Sequence, residues 1–85
     1  LATDEVALSV TREGDALRVV VAAPRPFRGT LLVTQGDQQL LREDVVVRPD
    51  ASHVAICGNI AWNMGTRPTV RIVDDAGRVI ASYEV

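Results

Sequence analysis

Residues 69–85, TVRIVDDAGRVIASYEV, decide the fold. Val70 and Ile72 flank Arg71, and Val79, Ala81 and Tyr83 alternate with Ile80, Ser82 and Glu84. That two-residue period belongs to a half-buried strand. Between the two runs, Asp74-Asp75-Ala76-Gly77 supplies turn chemistry: acidic side chains that bond their own backbone, then a glycine free to take positive φ. The stretch predicts a terminal β-hairpin with Val70, Ile72, Val79, Ala81 and Tyr83 on its core-directed faces.

The same format recurs upstream. Met64-Gly65-Thr66-Arg67-Pro68 reads as the connection into the hairpin. Before it, Val54, Ile56, Ile60 and Trp62 share one parity. This predicts a fifth strand opening at His53 or Val54, bulging at Gly58 and fading by Asn63, with those four side chains toward the core. Leu40 to Val47 is a fourth strand. Its polar middle, Arg42-Glu43-Asp44, predicts an exposed face or a sheet edge, where charge discourages stray pairing. Thr30 to Gln35 is a third strand, preceded by Pro24-Arg25-Pro26-Phe27-Arg28-Gly29, a loop because two prolines in three residues cannot serve a ladder. Ala16 to Ala23 is a second strand with Leu17, Val19 and Val21 on one face. Val20 on the other face predicts cover on both sides or a central place in the sheet. Val6 to Thr11 is the first strand, joined to the second through Arg12-Glu13-Gly14-Asp15. Seven short strands about ten residues apart, with turn signals between them, predict an all-β, seven-stranded antiparallel β-sandwich forming a single domain over residues 1–85.

Composition agrees with that architecture and narrows the function. Nearly half of the 85 residues are hydrophobic, mostly Val, Leu, Ile and Ala, which suits an aliphatic core. The one cysteine, Cys57, allows no internal disulfide, so packing and hydrogen bonds must hold the fold. A net charge of −2 gives no basic field for nucleic acid and no cationic face for a membrane surface. All nine basic residues are Arg, and they are spread along the chain rather than clustered. No apolar run approaches spanning length, so no membrane insertion is expected. A chain that starts at Leu1 rather than Met is expected to be a processed mature protein or a domain cut from a larger one. A periplasmic or secreted location, with its export signal removed, is the expectation.

Groups able to do chemistry are few. His53 and Cys57 lie four apart in a predicted strand, about 13 Å along it, too far to act as base and nucleophile. His53, Cys57 and Met64 are ligand types of blue-copper sites, but the second histidine of such a set is missing. The acidic pairs Asp4-Glu5, Glu43-Asp44 and Asp74-Asp75 sit in turns or point to opposite faces of a strand, unlike carboxylates facing each other across a glycosidase cleft. The expectation is therefore no enzyme, no metal and no cofactor. Two places remain for binding. Arg25, Phe27 and Arg28 put an aromatic between two guanidinium groups on a stiff loop, suited either to a protein partner or to plugging the end of the sandwich with Phe27. Trp62, with Asn59, Asn63 and Met64, forms either a core anchor or a sugar-stacking platform of a carbohydrate-binding module.

Strand number and spacing over the whole chain resemble those of immunoglobulin-like and fibronectin-III-like sandwiches. The cysteine pair of antibody domains is absent, Trp62 falls late, and Tyr83 sits in the last strand. Pro26 to Val47 followed by the Asp-Ala-Gly-Arg-Val hairpin is similar to modules of bacterial alpha-2-macroglobulins, which implies a spacer in a large secreted protein. The Gly-Asp hairpin near the start, the Pro-containing loop after the fourth strand and the terminal hairpin are similar to the small periplasmic curli-assembly chaperones. That likeness implies a domain that keeps an amyloid subunit soluble; the Cys-x-Cys element of some members is absent. Both likenesses imply a non-enzymatic domain working through protein contacts. The partner they imply is an extended or amyloid-forming chain, or the neighbouring domains of a parent protein. Arg42, Glu43 and Asp44 on the expected edge, and Arg25, Phe27 and Arg28 on the loop, are the candidate contact residues.

Overall fold

The computed structural model describes residues 1–62 and 65–85. Among them lie seven strands: β1 (Ala7–Glu13), β2 (Ala16–Ala22), β3 (Phe27–Gln35), β4 (Gln38–Val47), β5 (His53–Cys57), β6 (Pro68–Asp74) and β7 (Val79–Glu84). They form two antiparallel sheets, ordered β1-β2-β5 and β4-β3-β6-β7, packed as a β-sandwich. No helix among the described residues is long and apolar enough to cross a membrane.

Tight turns set the hairpin registers. Glu13 pairs with Ala16 and Gln35 with Gln38, so each loop has two residues, and each begins with a glycine at positive φ: Gly14 at 64° and Gly36 at 61°. That conformation matches the right-handed twist of the flanking strands and strains any residue with a Cβ. The last hairpin closes differently. Asp74 accepts from the Ala76 and Arg78 amides through Oδ1, at 3.0 and 2.8 Å, while the Gly77 amide donates to its carbonyl.

The core lies between the sheets. Its fully buried members come from the inward positions of β2 (Leu17, Val19, Val21), β3 (Leu31, Val33), β6 (Val70, Ile72) and β4 (Val45, Val47). Each such side chain contributes about 1.5–3 kcal/mol by leaving water, set against the entropy of ordering the chain. β2 is the central strand of its sheet, which answers why Val20 on its outer face is half-buried.

Four expectations are corrected. The strand after His53 does not run through Gly58 to Trp62; β5 stops at Cys57, and Asn59, at φ 61°, turns the chain away. The face assignment in β5 is also reversed. Ala55 and Cys57 are buried, whereas Val54 and Ile56 are 49% and 58% exposed. The reason is register: Leu17 pairs with Cys57, Val19 with Ala55 and Val21 with His53. Direct antiparallel partners share a face, so the core side of β2 dictates that 53, 55 and 57 point inward. Finally, β3 starts at Phe27 rather than Thr30, and in β7 only Ala81 of the expected inward set is buried. Val79 is exposed because a register shift pairs it with Val73 on the outward side and leaves Ile80 against the core, and Tyr83 because β7 is the edge of its sheet.

Candidate functional site

β4 is an edge strand of the four-stranded sheet, as its polar middle suggested. Arg42 and Asp44 are exposed on the outward side, opposite Leu32 and Thr30 of β3. Glu43 has the other parity. It shares the inward side with Val45 and Val47, and its Oε2 comes within 3.3 Å of His53 Nε2 on β5. β4 and β5 are the edges of opposite sheets that meet along one flank of the sandwich, and there a polar pair replaces aliphatic packing. His53 Nε2 is buried without an aligned hydrogen-bond partner, and the Glu43 side chain is 41% exposed. A pair of that kind contributes less than about 1 kcal/mol. Of the three predicted edge residues, Arg42 and Asp44 can meet a partner beside β4, while Glu43 is turned to the seam.

The proline-flanked loop ends in a plug. Phe27 is half-buried and packs on the core; Arg25 and Arg28 are exposed. The Phe27 ring lies beside Gly29, where a Cβ would run into the Val73 carbonyl oxygen and stand 3.0 Å from two ring atoms. Gly29 thus leaves the space the aromatic fills.

Trp62 is half-buried against the core edge. The Arg12 guanidinium lies over its ring, 4.0 Å from the centroid, and its indole Nε1 is buried without a partner. Asn63 and Met64, weighed above for a sugar platform and a copper ligand set, lie outside the described residues. Among the described residues no group of three His, Cys, Asp or Glu side chains is placed to hold a metal ion. Cys57 is buried, burial pushes its thiol pKa up, and its nearest acceptor is the Gly58 carbonyl at 3.8 Å. A thiol kept protonated in this way is a poor nucleophile.

One residue that organises this end of the molecule carries no sequence signal. The Gln35 side chain donates through Nε2 to the Ala61 and Thr66 carbonyls, both at 2.8 Å, and accepts the Ala61 amide at Oε1 at 3.1 Å. Its amide thereby imitates a strand neighbour and fastens the β5–β6 connection to the end of β3. The partners are 26 and 31 residues away, which no local pattern reports. Beside this clamp lies a shallow polar concavity of about 520 Å³, lined by Thr34, Thr66, Arg67, Thr69, Arg71 and Glu84 among others.

No curated protein and no solved structure matches the chain. One family model does, over residues 1–83, with the description "YphG-like protein, second domain". Spanning all but two of the 85 residues, that match shows that the chain belongs to the YphG-like second-domain family.

Proposed function

We propose that this chain is a non-enzymatic structural module that works through contacts with neighbouring domains of a multidomain protein. The observation that carries the reading is the family itself, which is defined as a second domain and covers residues 1–83. The strand order supports an immunoglobulin-like or fibronectin-III-like module: three strands, β1-β2-β5, face four, β4-β3-β6-β7. Domains of this architecture act as spacers because each holds its own core and presents strand edges and outer faces to its neighbours. The exposed Arg42 and Asp44 on the β4 edge are the contact residues carried forward. An open edge also suits capture of an extended chain by strand addition, the form a small assembly chaperone takes. The sugar-platform alternative draws no support from Trp62, whose ring is covered by Arg12.

The test replaces the domain, within the full polypeptide, by a Gly/Ser linker of equal span. The neighbouring domains are expected to keep their own melting transitions while small-angle scattering reports a broader distribution of their separation. Unaltered scattering would remove the structural reading. Retarded growth of an amyloid subunit by the isolated domain at substoichiometric ratio would move the assignment to the chaperone form.

A further inference from the structure

The outward side of the three-stranded sheet is apolar in a way the sandwich alone does not require. Four outward rows cross it in register: Ala7 with Ala22, Ser9 with Val20 and Val54, Thr11 with Arg18 and Ile56, and Glu13 with Ala16 at the turn end. Those ten positions hold two charges, Arg18 and, beside the Gly14 turn, Glu13; no carboxylate among the described residues lies within ion-pair distance of Arg18. Val54 and Ile56 are about half exposed, while the same strand turns the smaller Ala55 and Cys57 inward. β5 thus sends its largest aliphatic side chains to the wrong side for a domain surrounded by water. A strand covered on both faces has this pattern. Three strands about 4.8 Å apart and five to seven residues long at about 3.3 Å each give a whole face, polar positions included, of roughly 250–300 Å², near the lower limit of the largest apolar patch on an ordinary monomer.

We propose that this face docks against the domain that precedes it in the same polypeptide, through an apolar surface bearing an acidic side chain opposite Arg18. The inference rests on the module reading above and names the face and the partner. Two observations select that partner. The family is defined as a second domain, so its members carry another domain upstream. Residues 1–3 run antiparallel beside β1, the edge of this same sheet, with Ala2 bridged to Ala7 and the Leu8 amide donating to the Leu1 carbonyl at 2.7 Å. The chain therefore arrives at the β1 edge of this sheet, across β2 from Val54 and Ile56. The outward side of the other sheet, carrying Arg28, Arg42, Asp44, Arg71 and Glu84, is a poorer match for a dry contact.

The test is maleimide labelling of Val54→Cys and Ile56→Cys in the full polypeptide, with Val46→Cys as reference. Val46 is 55% exposed on the outward side of the other sheet. The buried Cys57 thiol is subtracted with the parent polypeptide. The expected result is labelling at least tenfold slower at positions 54 and 56 than at 46, with the protection at 54 lost when Ile56→Asp is added. Labelling as fast as at position 46 overturns the proposal. So does protection that vanishes on dilution together with a dimer mass, which would assign the face to a second copy. Fast labelling at 54 and 56 with a positive linker-replacement result discards the docking face and keeps the module. Fast labelling with unaltered scattering discards both.

Discussion

The two sheets bury the same kind of side chain inward and present different chemistry outward. On the four-stranded sheet, large aliphatics fill the inside, and Arg28, Arg42, Asp44, Arg71 and Glu84 share the outside with the exposed Val46 and Val79. On the three-stranded sheet, β5 reverses the arrangement, with Ala55 and Cys57 inside and Val54 and Ile56 outside. The inside of a strand is set by its hydrogen-bonded neighbour, not by which of its own faces is more hydrophobic. β2, with three fully buried side chains, outvotes the two aliphatics of β5.

The sharpest way to break this comparison is a pair of substitutions one residue apart. Ala55→Asp places an unpaired charge in the core and is expected to cost about 3–5 kcal/mol in urea unfolding of the 85-residue chain. Ile56→Asp, on the outward side, is expected to stay within about 1 kcal/mol of the parent. The opposite order of midpoints would mean that β5 pairs one residue out of register. Glycines offer the next contrast. Gly29→Ala, on the four-stranded sheet, meets backbone and the Phe27 ring and should cost about 1–3 kcal/mol. Gly58→Ala, just beyond β5, meets nothing within 4 Å and is expected to be nearly silent.

Smaller effects sharpen how the sheets are tied together. Gln35→Ala removes the clamp on the β5–β6 connection and should lower stability by about 1–2 kcal/mol, with faster amide exchange at Ala61. Unaltered exchange at Ala61 would mean the loop is held by something else. The smallest effect belongs to the last hairpin. Backbone donation from Arg78, then from Ala76, with the nearby Arg78 guanidinium, holds the Asp74 carboxyl below its ordinary pKa. A carboxylate whose pKa is depressed on folding stabilises the protein above its unfolded pKa and loses that contribution as pH falls through the folded value. Asp74→Asn should therefore melt below the parent at neutral pH, and the gap should narrow in acid. A gap of constant size from neutral pH to acid would show that the ionised carboxylate contributes nothing.

Much of this was readable in one dimension. The hairpin glycines, the alternation in β2, β3 and β6, and the charged middle of β4 are local signals, because turn geometry and side-chain parity act over two to four residues. The site was only partly readable. Arg42 and Asp44 fell on an edge as their charge suggested, and Phe27 packs as a plug. Glu43 meeting His53, Arg12 covering Trp62 and Gln35 gripping Ala61 join residues 10, 50 and 26 positions apart, where sequence carries no pairing information.

By itself, then, the order of residues determined a seven-stranded sandwich with its turns and most of its core, since those follow from the period of apolar side chains and from backbone preference at glycine. Tertiary structure alone decided which way β5 faces. Its Val54–Ile56 side is the more hydrophobic, and hydrogen bonding to β2 overrides that preference. That choice leaves Val54 and Ile56 on an outer face, and with them the surface on which the docking of a neighbouring domain is proposed.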